Sequence, residues 1–119
     1  NKYNIKKIIK IFQFEIKKQM KIFLKQNKYK KIVILDIPLL LENKINKKKD
    51  ILVYVQSKKS DILKNLKKRK NFNKKLLKKF KAIQLPLNYK KKKSNYIINN
   101  NFTKKSIKDG IKGILREIK

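Results

Sequence analysis

An α/β fold built on a parallel sheet is predicted by three features of this sequence. Residues 32–36 (IVILD) and 50–56 (DILVYVQ) are dense apolar runs without alternation, the mark of strands buried on both faces. Segments with apolar residues three and four positions apart surround them, so strands alternate with helices. Asp36 closes the first run, at the strand end where open α/β sheets bind their ligands.

From Asn4 to Lys25 the residues Ile5, Ile8, Ile9, Phe12, Ile16, Met20, Phe23 and Leu24 describe an amphipathic helix with a lysine-rich outer face. The same pattern fits a basic helix lying on a membrane surface. The strands that follow need covering, which favours a helix packed on its own domain. A loop at 26–31 leads into the strand at 32–36. Pro38 then forces the chain out of the sheet, and 43–49 is a polar loop. After the second strand, Ser57 or Ser60 is placed to cap a helix carrying Ile62 and Leu66, which ends near Arg69, Lys70 and Asn71. A further helix over 73–83 carries Leu76, Leu77, Phe80 and Ile83. Gln84-Leu85-Pro86 breaks it, and a lysine-rich helical turn spans 87–93. Tyr96-Ile97-Ile98 makes a third short strand, closed by Asn99-Asn100-Asn101. Thr103 or Ser106 begins the last helix, with Ile107, Ile111, Ile114, Leu115 and Ile118 on one face. Gly110 and Gly113 weaken that helix by roughly 1 kcal/mol each against Ala. Three strands make a thin core, and the chain opens at Asn1 in mid-pattern, so a fragment with further strands ahead of it is expected.

The 119 residues carry 37 Lys+Arg against 7 Asp+Glu, a formal net charge of +30. Such charge usually points to a polyanionic partner. Only Arg69 and Arg116 are arginine, however, which leaves 35 lysines. Base readout and bidentate phosphate contacts favour the guanidinium fork over an ammonium point charge. Lys, Asn and Ile share A/T-rich codons, so genome base bias accounts for the composition, with lysine filling solvated positions. The absence of Cys and His excludes disulfides, thiolate nucleophiles, zinc sites and histidine triads. No stretch approaches the ~20 apolar residues of a membrane span. With glycine only at 110 and 113, these residues hold no G-x-x-x-x-G-K-[ST] and no G-x-G-x-x-G.

The remaining candidates are polar residues at strand and helix ends: Asp36, Glu42, Arg69, Gln84, Lys90 and Asn100. Taken singly, each reads more readily as a cap, a turn residue or a solvated partner of lysine. Their order is more informative. The chain runs D-I-P-L-L-L-E at 36–42, K-K-R-K at 67–70, Q-L-P-L-N-Y-K at 84–90 and S-N-Y-I-I-N-N at 94–100. This series resembles the dephospho-coenzyme A kinases, P-loop kinases of the nucleotide-monophosphate-kinase type, with their pattern P-L-L-x-E, R, Q-x-P-x-x-x-K and A-D-Y-x-I-x-N. The likeness covers about Lys31 to Lys119. Ser94-Asn95 stand for the family's A-D, and Asn99 for the aspartate before its final Asn. The helix around Gln13-Phe14-Glu15-Ile16 is similar to the family's His-Pro-containing helix, without the His or the Pro.

The resemblance implies part of a P-loop kinase fold, a three-layer parallel sheet with helices on both faces plus a helical lid. Residues 1–30 would be a helix of the CoA-side domain, and 31–119 the carboxyl-terminal part of the kinase core, with the lid at about 68–92. The whole protein would phosphorylate the ribose 3′-hydroxyl of dephospho-CoA with ATP and Mg²⁺, the final step of coenzyme A biosynthesis, in the cytoplasm. Arg69 would contact the phosphates and the transition state, with Lys90 assisting. Arg69, Gln84 and Asn100 would form the nucleotide side, and Pro38, Leu39, Leu40 and Glu42 the dephospho-CoA side. Asp36 would act on Mg²⁺ through its bound waters. The P-loop and the catalytic aspartate would lie outside these residues, leaving them inactive alone. The alternatives are a lysine-rich nucleic-acid-binding module, marked by a sequence or shape preference beyond simple salt dependence, and a non-catalytic kinase relative. No specific nucleic acid and no membrane partner is expected, and the sequence does not set the oligomeric state.

Overall fold

The apolar run at 50–56 narrows to a short strand, β1 (Val53–Gln56), which pairs in parallel with β2 (Tyr96–Asn99). Val53 faces Tyr96, Tyr54 faces Ile97, Val55 faces Ile98 and Gln56 faces Asn99. The pair is the expected parallel sheet, two strands wide. The computed structural model describes residues 2–118, with side chains from residue 4 onward. The helices are α1 (Lys2–Gln26), α2 (Lys59–Lys67), α3 (Lys74–Ile83), α4 (Leu87–Lys93) and α5 (Lys104–Ile118). The chain divides into two compact units, Asn1–Lys47 and Lys48–Lys119. No helix among the described residues is long and apolar enough to cross a membrane.

In the second unit α2, α3 and α4 form the crossover that a parallel pair requires, since its strands cannot be joined by a tight hairpin. α5 then packs on β2. Alternation along the strands places Val53, Val55, Tyr96 and Ile98 on one face. Ile98 is buried there at 7 % exposure, because α5 comes close enough for Gly110 to sit over it. A Cβ at Gly110 would stand 2.8 Å from Ile98 Cγ2 and 3.3 Å from its Cβ. At Gly113 a Cβ would meet nothing within 4 Å. The two glycines that look alike in the sequence therefore differ in kind. Val53 and Val55 remain exposed on the same face.

Side-chain caps explain two helix starts. Asn73 accepts from the backbone N–H groups of Lys75 (2.9 Å) and Leu76 (3.3 Å) and so opens α3. Thr103 Oγ1 accepts from Ser106 N–H at 3.2 Å and opens α5. The expected serine cap of α2 is not found. Lys58 occupies the N-cap position without a side-chain bond, Ser60 lies inside the helix, and Asp61 supplies the negative charge of the first turn.

A larger correction concerns residues 32–36. They form no strand among the described residues, and Ile34 is 83 % exposed. An apolar run becomes a strand only where a neighbour supplies the ladder, and no described segment pairs with it. Among the described residues of the first unit Ile45 is buried, at 5 % exposure.

The glycine contrast yields opposite outcomes from one kind of substitution. Gly113→Ala should stabilise α5 by about 1 kcal/mol through helix propensity. Gly110→Ala should destabilise by about 1–3 kcal/mol through overpacking against Ile98. Thermal unfolding followed by circular dichroism separates the two, and equal shifts would refute the close approach.

Candidate functional site

In the first unit, Pro38 starts a run of turns that folds 38–44 into a compact loop. Asn43 N–H donates to Leu39 O at 3.0 Å, Lys44 N–H to Leu41 O at 3.2 Å, and Ile45 N–H to Leu40 O at 3.1 Å. Leu39 (φ 53°) and Lys44 (φ 51°) bracket the loop in the left-handed region, which costs a non-glycine residue about 1 kcal/mol or more. Leu39, Leu40, Leu41 and Glu42 are half-buried, Pro38 is exposed, and Glu42 Oε1 is withdrawn from solvent. From α1, Gln13 Nε2 donates to Asn43 O at 3.2 Å. Gln13 thus ties the helix to the end of the loop that carries the expected dephospho-CoA residues.

Between α1 and residues 34–37 lies a groove of about 440 Å³. Phe12, Met20 and Phe23 make its walls apolar, and Glu15 and Asp36 both line it. Mg²⁺ binds through one or two carboxylates, substrate phosphates and several retained waters. Two carboxylates on one groove fit an ion brought in on phosphate and held partly through water. They do not fit a closed protein cage, and among the described residues no group of three or more His, Cys, Asp or Glu gathers.

In the second unit, Arg69 sits in the turn just past α2, with its N–H donating to Leu66 O (3.1 Å) and its carbonyl accepting from Phe72 (3.2 Å). Its side chain is exposed. Gln84 is the exposed C-cap of α3. Arg69 and Gln84 therefore stand at opposite ends of α3, a helix of ten residues and about 15 Å. Pro86 then opens α4, and Lys90 lies half-buried one turn in, its carbonyl accepting from Ser94 Oγ at 2.8 Å. Gln84 and Lys90 thus lie on either side of the Pro86 break, one capping α3 and the other within α4.

Asn100 lies at the carboxyl end of the parallel pair. Its N–H donates to Gln56 O at 2.8 Å, and its Oδ1 accepts from Phe102 N–H at 2.8 Å. Phe102 takes φ 64° in this turn. A groove of about 710 Å³ opens here, lined by Asn100, Phe102, Ile107 and Ile111 together with Lys104, Lys108 and Lys112. Successive lysines one turn apart give it a cationic rim above an apolar floor.

The sequence singled out the helix around Gln13 and Glu15 but not the contact of Gln13 or the groove position of Glu15, and it missed the lysine row of α5. Gln13 was discoverable as a polar residue set between the apolar positions Phe12 and Ile16. The lysine row was not, because lysine occupies nearly every solvated position.

The sequence profile of the dephospho-CoA kinase family matches residues 1–106. No curated protein and no solved structure matches the chain. The Gln13 contact makes its own prediction. Gln13→Ala should weaken the loop by about 1 kcal/mol, seen as roughly fivefold faster hydrogen exchange at the amides of Asn43, Lys44 and Ile45, and unchanged exchange would remove Gln13 from this role.

Proposed function

The chain belongs to the dephospho-CoA kinase family, and from that premise we propose that the complete protein transfers the γ-phosphoryl group of ATP to the ribose 3′-hydroxyl of dephospho-CoA. The observation that carries the proposal is the family match over residues 1–106. Within it the P-L-L-L-E loop, Arg69, the Gln84–Lys90 corner and the Asn100 turn keep their order along the chain. The groove beside Asn100, outside the carboxyl end of a parallel strand, lies where α/β folds of this class take ligands.

Phosphoryl transfer is mainly a matter of positioning and charge stabilisation. In this proposal the exposed Arg69 guanidinium closes on the phosphate oxygens, where its planar fork makes paired charge-assisted bonds. Gln84 and Lys90 order the corner between α3 and α4, and Lys90 adds positive charge as the lid (about 68–92) closes. Of these residues, one is taken to meet the transferring phosphoryl group. Arg69 is assigned that place. Asn100 shapes the nucleotide side through the Phe102 turn. The loop of Pro38, Leu39, Leu40 and Glu42 presents the dephospho-CoA side, with residues 1–30 belonging to that part. Mg²⁺, carried on ATP, would supply charge neutralisation when bound, and Asp36 would help to hold it through water. The full fold in this reading is a three-layer parallel sheet with helices on both faces, and the protein works in the cytoplasm.

In this proposal residues 1–119 do not themselves supply the phosphate cradle, since they contain no glycine-rich loop. Two measurements bear on this. Arg69→Ala in the complete kinase should lower kcat/KM for ATP by about 10²-fold or more, with Arg69→Lys recovering only part. Turnover and ATP affinity equal to wild type would end the assignment. Residues 1–119 alone should not phosphorylate dephospho-CoA in a coupled ADP-release assay, and steady turnover there would show that the chemistry needs no separate cradle.

A further inference from the structure

We propose that Asn95 is a positioning residue: it locks the register of β1 on β2 and thereby sets the Asn100 turn at the other end of the pair. Parallel strands have no hairpin to fix their register, and a slip of one residue reverses every side chain. With only four residues in each strand, the ladder has few rungs to resist such a slip. Asn95 adds one. Its Oδ1 accepts from Leu52 N–H at 2.8 Å, while its own N–H donates to Leu52 O at 2.8 Å. Leu52 O also accepts from Tyr96 N–H at 3.2 Å. One residue outside β2 thus engages both backbone groups of a residue outside β1.

At the far end the same register appears in Gln56 O accepting from Asn100 N–H (2.8 Å) and in Gln56 Nε2 donating to Asn99 Oδ1 (3.2 Å). A slip of one residue would break the Asn95–Leu52 pair, turn Ile98 away from Gly110 and shift the Asn100 N–H off Gln56. The Asn100 side chain then holds Phe102, and both line the lysine-rimmed groove. The lock therefore acts on that groove from the opposite end of the strands. An aspartate at this place could make the same bond, because either side chain offers an oxygen to the Leu52 amide. The consequence for ATP rests on the kinase reading above; the lock itself does not.

Hydrogen exchange on residues 1–119, read by NMR, tests the lock first. In the unsubstituted chain the Leu52 amide should exchange well below its intrinsic rate, although Leu52 lies outside β1. Asn95→Ala should speed exchange of Leu52, Tyr96 and Asn100 by about fivefold or more, and Asn95→Asp should restore it. An unprotected Leu52 amide in the unsubstituted chain overturns the lock without need of any variant, as does failure of Asn95→Asp to restore protection. In the complete kinase, Asn95→Ala should raise KM for ATP about fivefold with kcat within twofold, and Asn95→Asp should return KM to normal. Loss of protection with unchanged KM would keep the lock but overturn its control of the nucleotide side. Absence of dephospho-CoA phosphorylation by the unsubstituted complete protein would instead count against the kinase reading, leaving the exchange result to stand by itself.

Discussion

Parallel pairing of β1 with β2 is the constraint from which the second unit follows. Two parallel strands require a long crossover, and α2, α3 and α4 are that crossover. The carboxyl ends of both strands then lie together, which brings Gln56 to Asn100 and opens the groove where α5 begins. α5 can pack on β2 only because Gly110 admits Ile98, one of the few buried side chains among the described residues. Remove the pairing and neither the groove nor the helix contact has a reason to form.

Three turns place non-glycine residues in the left-handed region, at Leu39, Lys44 and Phe102, while neither glycine does so. Gly110 serves close packing against Ile98, and the turns bear the backbone strain instead. Each such residue costs on the order of 1 kcal/mol, so the surrounding hydrogen bonds have to hold it. Leu39 lies within the P-L-L-L-E loop and Lys44 just after it, and Phe102 follows Asn100. The strain therefore lies on the two loops that carry the expected substrate-side and nucleotide-side residues.

Lysine is so common that its absence carries information. Residues 32–43, 50–57 and 94–103 contain none. They hold both strands, the folded loop at 38–43 and the Asn100 turn. Lysine in β1 would have guarded its outer edge against further pairing, and the exposed Val53 and Val55 carry no such guard. The +30 charge thus describes the solvated remainder of the chain and not these segments.

The sequence by itself determined the helices, both paired strands, their parallel sense and the order of the four motif blocks, because apolar spacing and local caps are properties of neighbouring residues. Thr103 was one of the two starts read for the last helix, whereas the serine cap read for α2 was not formed. The sequence also identified the family that residues 1–106 match. It did not determine that 32–36 lacks a ladder, since pairing depends on a partner that periodicity cannot name. Nor did it distinguish Gly110 from Gly113, or find Gln13 on Asn43 and Asn95 on Leu52. Those contacts join residues 30 and 43 positions apart, and only the tertiary structure, by bringing distant backbone groups within hydrogen-bonding reach, decided them.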